Sequence, residues 1–168
     1  MRAFRLLAAA PALMLAACGL QPLYQGGGQV SVAQGLGGVE VAPIAGKAGW
    51  LMHDALVTRL GDSPTGAAVR YKLTVRLDDR LEGLGLLSND TVGRERRTLR
   101  ARYQLVDVAS GAVLVDATAG SDAGLDVVSS EYATVAAEQT ALENLTRVVA
   151  DRIVTNLAIK LRTERQKP

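Results

Sequence analysis

The chain of 168 residues holds one cysteine, Cys18, and one histidine, His53. That scarcity bounds its chemistry. A thiol nucleophile other than Cys18 is excluded, and a single imidazole with no Ser and carboxylate spaced around it does not make a hydrolase triad. Tetrahedral His/Cys metal sites lack ligands, so no metal and no cofactor are expected. Asp78 and Asp79 could be offered as paired acids, but neighbours on a strand point to opposite faces. Gly83-Leu84-Gly85 lacks the rest of a dinucleotide fingerprint and does not open a helix. His53 sits beside Asp54 on the outward side of a helix and reads as solvated. No enzyme activity is expected. Two features remain that can do chemistry: the Cys18 thiol, and a row of cationic side chains between Arg70 and Arg102.

Cys18 closes an N-terminal segment with the pattern of an export signal. Arg2 and Arg5 form its positive head, and Leu6 to Ala17 form an uncharged, Ala/Leu-rich middle. That run falls short of the roughly 20 apolar residues needed to cross a bilayer core of about 30 Å. Leu15-Ala16-Ala17-Cys18 resembles the lipobox of bacterial lipoproteins, in which the Cys is acylated and becomes the first residue of the mature chain. The resemblance implies that Cys18 is lipidated and that the protein is held at a membrane through its acyl chains. Each buried methylene contributes about 0.8 kcal/mol, so two or more chains hold firmly where one binds marginally. Gly19 stands where Asp is a retention signal for the inner membrane in some bacteria, which points to the outer membrane.

The organisation expected from this is a signal over residues 1–17, a lipidated flexible tether over 18–38 and a single α+β domain over 39–168. The tether carries Gly26-Gly27-Gly28, Gly35, Gly37 and Gly38. The formal net charge of +2 loses Arg2 and Arg5 with the signal and falls close to zero. One Trp and one Phe are present, and Phe4 lies in the signal. With neither net positive charge nor a stacking surface, no nucleic-acid partner is expected.

The elements that must position the cationic row follow from periodicity. Val39 to Ala45 alternates and meets Pro43, as an edge strand can. A helix is expected over Lys47 to Leu60, with Ala48, Leu51, Met52, Ala55 and Leu56 on one face and Gly61 at its end. Val69, Tyr71, Leu73, Val75 and Leu77 alternate with Arg70, Lys72, Thr74, Arg76 and Asp78, a strand with one buried face. Residues 79–93, with Gly83, Gly85 and Gly93, read as a connection. A second strand runs from Arg94 to Val106. A hairpin loop follows from Asp107 to Gly111. A third strand runs from Ala112 to Gly120, with Gly120 to Gly124 as a bend and Leu125 to Val128 as a candidate extension. One long helix is expected from Glu131 to Arg162, its apolar stripe made by Val135, Leu142, Leu145, Val149, Ile153, Leu157 and Leu161. Ser129 or Ser130 can cap it.

The order β-α-β-β-β-α predicts an α+β two-layer sandwich: a mostly antiparallel four-stranded sheet with two helices on one face. The other face is left open. It would carry Arg70, Lys72, Arg76, Arg94, Arg96, Arg100 and Arg102, with Asp78 and Asp116 as the acids that can be placed there. Like charges opposed across strands are unfavourable, so the row suits an anionic partner. Arg in particular binds phosphate and carboxylate through two parallel hydrogen bonds. The same row is compatible with a solvated face whose charges are screened over about 8 Å. Charge alone does not decide between them.

Cys18-Gly19-Leu20-Gln21-Pro22-Leu23-Tyr24 resembles the start of mature chains in the LPS-assembly lipoprotein family, LptE. Further matches follow in order: Tyr71-Lys72-Leu73, then Arg96-Arg97-Thr98-Leu99 leading into Ala101, Tyr103, Leu105 and Asp107. Ser110-Gly111, Val113-Leu114, Ser130-Glu131-Tyr132-Ala133 and Ile153-Val154 with Leu157 complete the series. The resemblance implies an outer-membrane lipoprotein that plugs the LptD β-barrel as a heterodimer and assists it in placing lipopolysaccharide in the outer leaflet. Its body would face the periplasm or sit inside the barrel lumen. It implies that Arg70, Lys72, Arg76, Arg96, Arg100 and Arg102 meet LPS or the barrel lumen. The alternative is a lipid-anchored accessory lipoprotein of another envelope complex that handles no glycolipid; a periplasmic hydrolase is weaker still.

Overall fold

Alternation decides the sheet. In the computed structural model, Tyr71, Leu73 and Val75 turn to one side and are buried, while Lys72, Thr74 and Arg76 between them are exposed. The structure describes Leu36 and residues 38–61, 68–86 and 92–165. The export segment, Cys18 and most of the expected tether lie outside the described residues. The elements are β1 (Val39–Val41), α1 (Gly46–Leu60), β2 (Tyr71–Leu86), β3 (Val92–Asp107), β4 (Val113–Asp126) and α2 (Glu131–Arg165). The strands form one sheet in the order β1-β2-β3-β4. Helix α1 lies over β1 and β2, α2 over β3 and β4, and the helices touch each other. This is the expected two-layer sandwich.

The sheet is mixed rather than wholly antiparallel, because α1 carries the chain back to the end from which β1 started. Val39, Glu40 and Val41 therefore pair in parallel with Tyr71, Lys72 and Leu73. Between sheet and helices lie Leu73, Leu99, Ala101, Leu105, Met52, Leu56, Val149, Ile153 and Leu157, all fully buried. Full burial of one such Leu, Val, Ile or Met contributes about 1.5–3 kcal/mol. Tyr103 is buried among them, and its hydroxyl accepts a hydrogen bond from Asn156 Nδ2 at 3.0 Å. Leu36, 1% exposed, also belongs to this core although it falls within the stretch read as tether.

The three large strands are longer than the alternating apolar pattern indicates. Pairing of β2 with β3 runs on through Asp79↔Leu99 and Leu81↔Arg97 to Leu86↔Val92, so residues 79–86 are strand and not connection. What hides this is the inward face of β2, which holds Asp79 and Gly83 where an apolar residue would mark a strand. Arg97 donates from Nε and Nη2 to the two oxygens of Asp79 at 2.9 and 2.7 Å, and from Nη1 to the Glu138 carbonyl at 2.9 Å. This polar clamp ties the first turns of α2 to the sheet. Val135, expected in the apolar stripe, is 56% exposed, and the buried stripe begins at Ala141.

β4 likewise continues unbent through Gly120 to Asp126. Gly120 supplies room rather than a bend: a Cβ there would meet Arg100 Cγ at 3.1 Å and the Leu99 carbonyl at 3.2 Å. In α1 the buried residues are Gly49, Met52, Ala55, Leu56 and Leu60, with Ala48 and Leu51 half-buried. The helix is rotated from the expected face because its backbone closes on Ile44 at Gly49. Gly61 ends it at φ 80°, donating to the Val57 carbonyl at 3.0 Å.

Candidate functional site

The open face is built by the even-numbered residues of β2, β3 and β4. Register places Arg76 opposite Arg102 and Asp78 opposite Arg100. The expected cations Lys72, Arg76, Arg96, Arg100 and Arg102 share this face, and Arg80 joins them because β2 runs on past Asp78. Arg70 stands at the end of the row, its backbone bonded to Gly38 and Val108. It precedes β2, and its guanidinium carbon sits 5.2 Å from the centre of the Tyr71 ring.

The expectation that Asp78 and Asp116 are the acids of this face is corrected. Glu40 on β1, Glu82 on the extended β2, and Asp122 and Asp126 on the extended β4 share it. Four of the six acids each meet a cation. Arg94 meets Asp126 at 3.1 Å, Arg102 meets Asp116 at 3.1 Å, Arg80 meets Asp78 at 3.1 Å and Arg96 meets Asp122 at 4.0 Å. Asp116 also accepts from Gln104 Nε2 at 2.9 Å. Arg102 first, then Gln104, hold the Asp116 carboxyl below its usual range, and Asp116 in turn keeps Arg102 more firmly protonated. Solvent screens such exposed pairs, so they are exchangeable partners rather than struts.

Three cations are left over. Among the described residues, Lys72, Arg76 and Arg100 have no carboxylate within ion-pair distance. Arg76 faces Arg102, which leans to Asp116 on its far side. Arg100 faces Asp78, which is bonded by Arg80. Glu40 and Glu82 on the same face have no cation within ion-pair distance either, and register sets Glu40 opposite Lys72 and Glu82 opposite Arg96. The unpaired cations therefore outnumber the unpaired acids only at the β2–β3 centre, where Arg76 and Arg100 lie.

Residues 36–157 match the lipopolysaccharide-assembly family, LptE. The chain belongs to the LptE family. Among solved structures, the fold is similar to that of a lipoprotein from Caulobacter crescentus at 24% identity and a TM-score of 0.65, covering 80% of this chain and 98% of that one. It is similar to rare lipoprotein B from Shewanella oneidensis at 10% identity and a TM-score of 0.57, covering 76% and 98%. Lipoprotein B from Nitrosomonas europaea follows at 15% identity and a TM-score of 0.52, covering 69% and 78%. At these identities the similarity speaks to fold. No curated protein matches the chain.

In this LptE-family chain the sequence-singled groups with other chemistry stay apart. Asp78 and Asp79 address opposite faces, the first bonded to Arg80 and the second to Arg97. Gly83-Leu84-Gly85 lies within β2. His53 is half-buried on α1. Among the described residues, no group of three or more His, Cys, Asp or Glu could hold a metal ion, and no helix is long and apolar enough to cross a membrane. Sequence reasoning missed Arg80, Glu82, Asp122 and Asp126. The signal that could have found the first two is the charged alternation Arg76, Asp78, Arg80, Glu82, which continues the strand period without apolar partners.

Proposed function

We propose that this LptE-family protein is an outer-membrane lipoprotein, acylated on Cys18, that partners an LptD-type β-barrel and meets lipopolysaccharide through its open sheet face. The observation that carries the reading is the set of three cations in no ion pair among the described residues, Lys72, Arg76 and Arg100, on a sheet face that no helix covers. Lipopolysaccharide is an anionic glycolipid with phosphates and acidic sugars. A guanidinium presents two parallel donors to such groups, and a sheet holds them in fixed register. Arg96 and Arg102 sit beside the three and can exchange their exposed carboxylates for the ligand's anions. The Arg70 guanidinium is engaged over Tyr71 at the end of the sheet and contributes least.

The test is charge reversal at Lys72, Arg76 and Arg100 together, in the full-length lipoprotein. All three are exposed, so folding is retained. Affinity for purified lipopolysaccharide at low salt should fall by about tenfold or more, equivalent to about 1.4 kcal/mol. Unchanged affinity at low salt removes the assignment. The barrel partner is tested separately: tagged protein drawn from detergent-solubilised membranes should bring a large β-barrel in equal amount, and a different stoichiometric partner would replace this reading.

A further inference from the structure

β4 ends the sheet, and among the described residues it has a neighbour on one side only. In an antiparallel ladder the N–H and C=O of one residue point to the same side, and successive residues alternate. Just beyond β4, Val127 donates to the Gly93 carbonyl of β3 at 3.1 Å, so odd-numbered residues here address β3. Even-numbered residues turn their backbone outward. Arg152 Nη1, reaching down from α2 to the Gly120 carbonyl, marks that outward side. Asp122, Gly124 and Asp126 therefore present an open edge of backbone donors and acceptors, a template for another strand.

Above this edge, Ala137, Thr140, Asn144 and Val148 of α2 line an open groove of about 600 Å³ with Ala123 and Leu125 of β4. Val148 is 40% exposed. These side chains leave room for the helix-side residues of a fifth strand. On the opposite, open face the same edge carries carboxylates: Asp122 is 64% and Asp126 76% exposed even though each meets an arginine of β3.

We propose that the Ser121–Asp126 edge of β4 is a strand-addition site for an extended polypeptide segment of a partner. That segment alternates small apolar residues, turned into the groove under α2, with Lys or Arg turned to the β4 carboxylates. A second copy of this chain fits less well, since its own β4 edge would bring further aspartates to the row. Arg152 blunts the edge at Gly120 until an incoming strand takes its place. The site lies apart from Lys72, Arg76 and Arg100, and it stands whether or not the open face meets glycolipid.

The probe is a fluorescent, end-capped peptide of about ten alternating Lys and Val residues, a common strand length. It is titrated against the full-length protein in detergent and followed by anisotropy. Saturable binding is expected. Gly124→Pro should weaken it about tenfold, because an edge proline removes one outward donor while leaving the β3 ladder intact. A Cβ at Gly124 meets nothing within 4 Å, so the variant has room to fold. A second arm does not depend on any variant: the peptide is N-methylated at every second residue, in each of the two phases. One phase should lose binding and the other keep it, because only one set of peptide N–H groups faces β4. Equal binding of both phases, or no saturable binding to the unmodified protein, overturns the proposal. So does a dimer of the protein itself that Gly124→Pro dissolves.

Discussion

A single carboxylate shapes the β3–β4 turn. Asp107 Oδ1 accepts from the Ala109 and Ser110 amides at 3.0 and 2.9 Å and from the Ser110 hydroxyl at 3.0 Å. Gly111, at φ 70°, closes the loop by donating to the Asp107 carbonyl at 2.8 Å. The Ser110 bonds, ahead of the Ala109 amide and the nearby Arg70 charge, hold the Asp107 carboxyl below its ordinary value of 3.8. A depressed folded-state value means stability that is present above 3.8 and lost as pH falls through the lower folded value. Asp107→Asn should lower the melting temperature by a few degrees at neutral pH and flatten its decline below about pH 4. Asp116, depressed for a different reason, titrates in the same window and keeps that decline from vanishing. Melting curves across acid pH check both points. Arg97 is the other deciding residue. Its side chain is only 15% exposed and joins Asp79 to the Glu138 carbonyl. Arg97→Ala leaves the partly covered Asp79 carboxylate without its two-pronged partner and removes the tie to α2, and should cost about 2 kcal/mol in chemical denaturation. Arg97→Lys should recover only part of that, since one ammonium cannot reproduce the fork.

Elements built on apolar periodicity were legible in the sequence, and elements built on charge were not. Leu73 and Val75 in β2, Leu99 to Leu105 in β3, and Leu142 to Leu161 in α2 all stand on the faces their spacing indicates. The strand halves beyond Asp79 on β2 and Gly120 on β4 do not advertise themselves, because Asp79 and Gly83 on β2 and Ser121 on β4 occupy positions an apolar residue would mark. The glycines in and beside those halves then read as loop. The charged face suffered for the same reason: with the second halves of β2 and β4 unread, Glu82, Asp122 and Asp126 were unseen and its positive excess was overstated. Helix α1 carries a test of the opposite kind, where local propensity and packing disagree. Ala is favoured over Gly in a helix by about 1 kcal/mol. At position 49, however, a Cβ would lie 2.5 Å from the Ile44 carbonyl oxygen, a backbone atom with nowhere to go. Gly49→Ala should therefore destabilise by about 1–3 kcal/mol despite its propensity gain, read as a lowered denaturation midpoint with unchanged slope. A stabilised variant would mean that α1 does not close on Ile44 at Gly49.

At the scale of the whole molecule, the proposed reading assigns folding and location to different parts of the chain. Among the described residues, the buried core draws on Leu36 through Leu161. On the proposed reading, holding the protein at a membrane falls to acyl chains on Cys18, which at about 0.8 kcal/mol per buried methylene bind firmly only when more than one is present. Removing the thiol should thus move the protein without unfolding it. The clean form of the experiment exports residues 19–168 behind a cleavable secretory signal, so that no uncleaved N-terminal segment stands in for the anchor. The secreted body should melt within about a degree of the lipidated protein, since the core residues from Leu36 to Leu161 are the same in both. In cells without excess barrel it should leave the membrane fraction for the soluble one. When the barrel partner is overproduced, the body should return to the membrane in proportion to it, because the protein contacts remain while the anchor is gone. Persistence in the membrane fraction without the barrel would show that something other than Cys18 holds the protein there. Failure to return with the barrel would show that the lipid, rather than the sandwich, makes the association.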